Sequence, residues 1–116
     1  MPHIIVEYSD NLSRINIPLL LSELHDELAA QDTVTKSAIK SRAIAIPEEN
    51  VILGDEDDYD ELLHITIKLL PGRNDDLKKN MARALYSVAC GAVRAEYDNC
   101  SVTVEVMELH AESYTK

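Results

Sequence analysis

Hydrophobic positions along this chain follow two periods in turn, and the switches between them mark out six elements. His3 to Ser9 (His-Ile-Ile-Val-Glu-Tyr-Ser) is rich in β-branched and aromatic residues and reads as a strand. Asn16 and Pro18 then mark a helix start, since proline is tolerated in the first turn. Leu20, Leu21, Leu24 and Leu28 recur at helical spacing, which predicts a helix running to about Ala30. Ala38 to Ile46 reads as a second strand, closed by Pro47, and Leu62 to Leu70 as a third, closed by Pro71-Gly72. Asn74 suits an N-cap, and Asp75 and Asp76 suit the positive end of the helix dipole that follows. Leu77, Met81, Leu85, Val88 and Ala92 form the apolar stripe of that second helix. Ser101 to Glu108 alternates cleanly as a fourth strand.

The order β-α-β-β-α-β predicts an α+β domain with a four-stranded mixed sheet and both helices on one face. Each half is a strand, a helix and a strand, so a pseudo-twofold can relate the halves. Two helices cover only one face of such a sheet, and the other must meet water or another subunit. The alternation says what that second face carries. Lys40, Arg42, Ile44 and Ile46 share one side of their strand. His64, Thr66 and Lys68 lie opposite Leu63, Ile65 and Ile67, and Thr103 and Glu105 lie opposite Val102, Val104 and Val106. One face is aliphatic; the other mixes positive charge with large apolar groups, a mix that suits a subunit interface with ionic contacts.

At 116 residues the chain forms one domain, residues 1–116, long enough for a real core. It has no apolar run of membrane length and no basic start followed by an apolar segment, so we expect a cytoplasmic protein without a membrane partner. The net charge of −10 speaks against nucleic acid and anionic membranes as partners. It also requires that any anionic ligand be met by locally clustered Lys and Arg. The run Gly54-Asp55-Glu56-Asp57-Asp58 reads as a solvated loop, because its spacing does not match a calcium-binding loop. Cys90 and Cys100 are too few for a disulfide framework and lack metal spacing; Cys90 falls on the apolar side of the second helix and reads as a buried free thiol.

Pro2 is the chemically distinctive residue. With Met1 removed, its nitrogen is a secondary amine instead of an amide. An α-amino group titrates near pH ~8, and neighbouring cations or burial lower that further. A free N-terminal proline can then serve as a general base at neutral pH. Alone the signal is weak, because proline at position two is commonly incidental to processing.

Four segments line up with it: Met-Pro-His-Ile-Ile-Val-Glu at the start, Ile39-Lys40-Ser41-Arg42, His64-Ile65-Thr66-Ile67-Lys68 leading to Gly72-Arg73, and Glu108-Leu109-His110. Together with the element order, this pattern resembles the 5-carboxymethyl-2-hydroxymuconate Δ-isomerase family of the tautomerase superfamily, over almost the whole chain. The resemblance implies a homotrimer with no metal and no organic cofactor. It implies an unsaturated dicarboxylate or tricarboxylate substrate and an isomerisation in the homoprotocatechuate branch of aromatic-compound catabolism. By the same resemblance, Pro2 takes a proton from a carbon next to the conjugated carbonyl system and returns it further along, through a dienolate. Cationic side chains hold the carboxylates and stabilise the developing oxyanion. The family pattern expects one arginine at the start of an Ile-Arg-Ser-Arg stretch and one in a Gly-Arg turn.

The second is present as Arg73; the first stands here as Lys40. Lysine keeps the charge and loses the planar fork that grips a carboxylate through two bonds. Arg42, two residues on, retains a guanidinium and can share substrate binding. The expected catalytic set is therefore Pro2, Lys40 and Arg73, with Arg42 binding substrate. The segment after Glu108-Leu109-His110 is also short, which implies a reduced pocket-covering or trimer-forming tail. Each residue has a plain alternative. Lys40 and Arg42 can be solvated edge charges, Arg73 a surface turn residue, His64 and His3 structural, Tyr8 and Tyr59 packing. A non-catalytic binding or structural protein on the same fold is the alternative to the isomerase reading, since a retained Met1 makes the Pro2 nitrogen an amide.

Overall fold

The computed structural model describes residues 2–55 and 58–116. Its elements run in the expected order: β1 (His3–Ser9), α1 (Ile17–Ala29), β2 (Lys40–Ile46), β3 (Glu61–Leu69), α2 (Asp75–Arg94) and β4 (Cys100–Glu108). Asn16 caps α1 by accepting the Leu19 amide at 3.1 Å, and Asn74 caps α2 by accepting the Leu77 amide at 2.8 Å. Each such cap stabilises its helix by roughly 1 kcal/mol, because it satisfies an amide that has no partner within the helix. The second strand starts later than Ala38: Lys36–Ala38 forms a 3₁₀ turn that hydrogen-bonds back to Thr35 and Lys36.

The sheet order is β2-β1-β3-β4. β1 pairs in parallel with β2 and β3 with β4, while β1 and β3 run antiparallel at the centre. Two β-α-β units thus meet across a pseudo-twofold between the central strands. On the covered face, Ile4, Val6, Leu63, Ile65 and Ile67 are fully buried beneath Leu20, Leu24 and Leu28 of α1 and Met81, Leu85, Ala89 and Val93 of α2. Full burial of each large aliphatic side chain contributes about 1.5–3 kcal/mol. The buried line of α2 passes through Ala89 and Val93, with Leu77, Val88 and Ala92 half-buried beside it. Cys100 is the buried thiol, its pKa pushed up to about 11 chiefly by burial, whereas Cys90 is only half-buried.

The uncovered face is built in rows by the register. Lys40, His3, Lys68 and Met107 stand side by side; next come Arg42, Ile5, Thr66 and Glu105, then Ile44, Glu7, His64 and Thr103. Ile44 and Met107 are each about half exposed, at 49% and 48%. In the acidic run, Gly54, Asp55 and Asp58 are exposed, and the Asp55 amide donates to the Asp58 carboxylate at 2.8 Å. Glu56 and Asp57, like Met1, lie outside the described residues. No described helix is long and apolar enough to cross a membrane.

Candidate active site

The start of β1 is a meeting point of strand ends. β1 and β2 begin there, and β3 and β4 finish there. Pro2 is buried at this edge, and its carbonyl accepts the Lys40 amide at 3.0 Å, so strand pairing holds the first described residue in place. His3 lies between Lys40 and Lys68 in register. Residues in register point to the same side of a sheet, so all three side chains stand on the uncovered face. Arg42 joins them and donates through Nη1 to His3 Nδ1 at 3.1 Å. Burial first, then the positive potential of Arg42, Lys40 and Lys68, holds the His3 imidazole below its ordinary pKa of 6.5.

Arg73 follows β3 through Gly72, whose φ of 128° only glycine adopts readily. Its guanidinium is occupied within the chain. Nε donates to Thr33 Oγ1 at 2.8 Å, Nη2 to the Thr33 carbonyl at 3.0 Å, and Nη1 to the Leu70 carbonyl at 3.4 Å. Thr33 sits at φ 72°, a left-handed conformation costly for a β-branched residue, and the arginine braces that turn. The structure therefore gathers Pro2, Lys40 and Arg42 around His3. Arg73 stands at the same end of the sheet, half-buried and tied to the connection between α1 and β2. Lys40 and Arg42 are exposed on the edge strand.

Two neighbours of this cluster were not singled out by sequence. Lys68 was placed on the right face, but only the register shows it flanking His3. Tyr114 comes from the end of the chain. The Leu109 amide bonds the Leu69 carbonyl at 2.7 Å, a turn at His110 closes with the Tyr114 amide at 3.0 Å, and the phenol reaches His3 Nε2 at 2.7 Å. The two rings meet edge to face, with centroids 5.8 Å apart. A lone tyrosine among polar residues gives no local signal for such a contact.

Other polar groups lie away from this end. His64 bonds Thr103 Oγ1 at 2.6 Å and Glu105 Oε2 at 2.5 Å in the middle of the uncovered face, a structural arrangement. A cavity of about 270 Å³ opens at the opposite end of the sheet, lined by Ser9, Asn11, Tyr59 and the acidic residues Glu48, Asp55 and Asp60 among others. Three acidic residues there disfavour an anion, whereas the Pro2 end concentrates cations on a chain of net charge −10. Tyr8 packs against the core.

A four-stranded mixed sheet of two β-α-β units, with two helices against it, is the tautomerase-like fold expected from the sequence. The chain belongs to the 5-carboxymethyl-2-hydroxymuconate isomerase family, whose model matches residues 2–116. It is similar to a 5-carboxymethyl-2-hydroxymuconate isomerase from Deinococcus radiodurans R1, with 29% identity and a TM-score of 0.88 over 99% of this chain and 87% of that one. A 5-carboxymethyl-2-hydroxymuconate delta-isomerase shares 18% identity and a TM-score of 0.78 over 100% of this chain and 87% of that one. A fused 4-OT described as a symmetric trimer shares 16% identity and a TM-score of 0.76 over 92% and 85% of the two chains. No curated protein sequence matches. Family membership makes the chain an isomerase and favours that reading over a non-catalytic module.

Proposed function

We propose that the protein shifts a double bond in a 2-hydroxymuconate-type dienol, using the N-terminal amine of Pro2 after removal of Met1 and no cofactor. The neutral amine takes a proton from one position of the conjugated system and leaves a dienolate. The resulting ammonium returns the proton to a carbon further along, so no atom is gained or lost. Lys40 and Arg42 hold substrate carboxylates, and Arg73 provides positive charge from the adjoining turn for the oxyanion that develops. The observation that carries this reading is the hydrogen bond from the Lys40 amide to the Pro2 carbonyl beside the Lys40, Arg42 and Lys68 cluster. It supports the reading by joining the residue proposed as base to the strand that carries Lys40 and Arg42, with Lys68 on the strand at the other side of β1.

The site is open on the uncovered face of the sheet, where Ile44 and Met107 stand exposed beside the charges. A homotrimer that packs this face against a neighbour would close it, and a similar fused 4-OT is described as a symmetric trimer. Aromatic-compound catabolism by the homoprotocatechuate route supplies substrates of this class. The test is an absorbance assay of Met1-free protein on 2-hydroxymuconate-type dienols and phenylenolpyruvate-type enols. Turnover of a dicarboxylate dienol is expected. Failure to accelerate any of them would overturn the proposal.

A further inference from the structure

The hydrogen bonds around His3 determine where its proton sits. Arginine only donates, so Arg42 Nη1 at 3.1 Å requires a lone pair on His3 Nδ1. The ring is then neutral with its hydrogen on Nε2. That N–H points at the Tyr114 hydroxyl oxygen, 2.7 Å away, so the phenol accepts. Its own hydrogen is left over: among the described residues no other hydrogen bond involves this hydroxyl. The chain Arg42→His3→Tyr114 thus passes donation outward and ends on an O–H donor. Each bond polarises the next and makes the last donor stronger toward an anion. Tyr114 lies beyond the ring of His3, the residue that follows Pro2, which suits a group remote from the reacting atoms.

We propose that Tyr114 is a substrate-binding donor for the carboxylate remote from the reacting enol, with His3 as its positioning residue. This rests on the reading that the Pro2 end of the sheet is the active site. It gives the segment after β4 a part in selecting dicarboxylates over monocarboxylates.

Steady-state kinetics on a 2-hydroxymuconate-type dicarboxylate and a phenylenolpyruvate-type monocarboxylate test it. Tyr114→Phe keeps the ring contact and removes only the hydroxyl. It should raise KM for the dicarboxylate about tenfold, the worth of one hydrogen bond to a charged group, with little change in kcat. KM for the monocarboxylate should stay put. His3→Phe should reproduce that pattern, and His3→Gln, which keeps an amide N–H for the phenol, should restore most of it. The double variant His3→Phe/Tyr114→Phe should be no worse than either alone, because both break one relay. An unchanged dicarboxylate KM in Tyr114→Phe, or an equal loss on both substrates, overturns the assignment. Lys40→Met separates the two levels. If it raises KM while Tyr114→Phe is silent, only the tyrosine assignment fails; if both are silent, the site itself is misplaced and the inference falls with it.

Discussion

Replacing Lys40 by methionine removes one charge from the proposed site and leaves the framework intact. The stem survives, and the backbone amide that bonds the Pro2 carbonyl at 3.0 Å is untouched. The side chain is exposed and makes no ion pair among the described residues, so stability should change by less than about 0.5 kcal/mol. Two unit charges ~4 Å apart attract by about 1 kcal/mol in bulk water and about 4 kcal/mol at an effective dielectric constant of ~20. An ammonium on an open sheet edge belongs near the lower figure, roughly 1–2 kcal/mol, which is ~5- to 30-fold in kcat/KM. Lys40→Arg keeps the charge and adds a bidentate fork, so its kcat/KM should equal or exceed that of the wild type. Lys40→Ala should lose ~10-fold or more. The assay is loss of dienol absorbance at ~0.1 M and ~1 M salt, between which the screening length falls from ~10 Å to ~3 Å. The gap between wild type and Lys40→Met should narrow at high salt. A methionine variant within twofold of wild type at ~0.1 M, or a gap indifferent to salt, would refute the electrostatic role of this residue.

Leu24→Ala should destabilise the fold by about 2–5 kcal/mol in chemical denaturation, because Leu24 is fully buried between α1 and the sheet. His3 gives stability a pH dependence of known sign. Its folded pKa lies below 6.5, first through burial and then through Arg42, Lys40 and Lys68, so below that pH the unfolded chain binds a proton the folded chain resists. Stability should be fully present above pH 6.5 and fall below it, and His3→Gln should flatten that fall in acid denaturation series. Light scattering at micromolar concentration should give the mass of a trimer; a stable monomer would remove the proposed closure of the site.

Much of this architecture is written in local patterns. Asn16 and Asn74 announce the helix starts, and both act as caps through their side-chain oxygens. Alternation placed Lys40 and Arg42 on one face and Leu63, Ile65 and Ile67 on the other, as the sheet has them. Local patterns fail where the answer depends on distant segments. The buried line of α2 runs through Ala89 and Val93, with Val88 and Ala92 at the margin, because the side of the helix that meets the core is set by how it docks on β4 and α1 and not by its own spacing. The second strand begins after the 3₁₀ turn because Ile39 is already buried, and apolar residues there read alike in either state. Lys68 faces Lys40 across β1 through a register that no local spacing encodes. Arg73 reads as a turn residue in sequence; its bonds to Thr33 join segments 40 residues apart. Tyr114 reaches His3 from 111 residues away.

The central claim is that the Pro2 nitrogen is the base, and the start of the chain tests it directly. The comparison is between protein beginning at Pro2, verified by N-terminal mass spectrometry, and protein on which Met1 is retained, assayed on the same dicarboxylate dienol. An amide at Pro2 cannot accept the proton, so retention of Met1 should abolish turnover, while Pro2→Ala, which keeps a primary amine at the start of the chain, should leave partial activity. Equal activity with and without Met1 would exclude the Pro2 amine as the base.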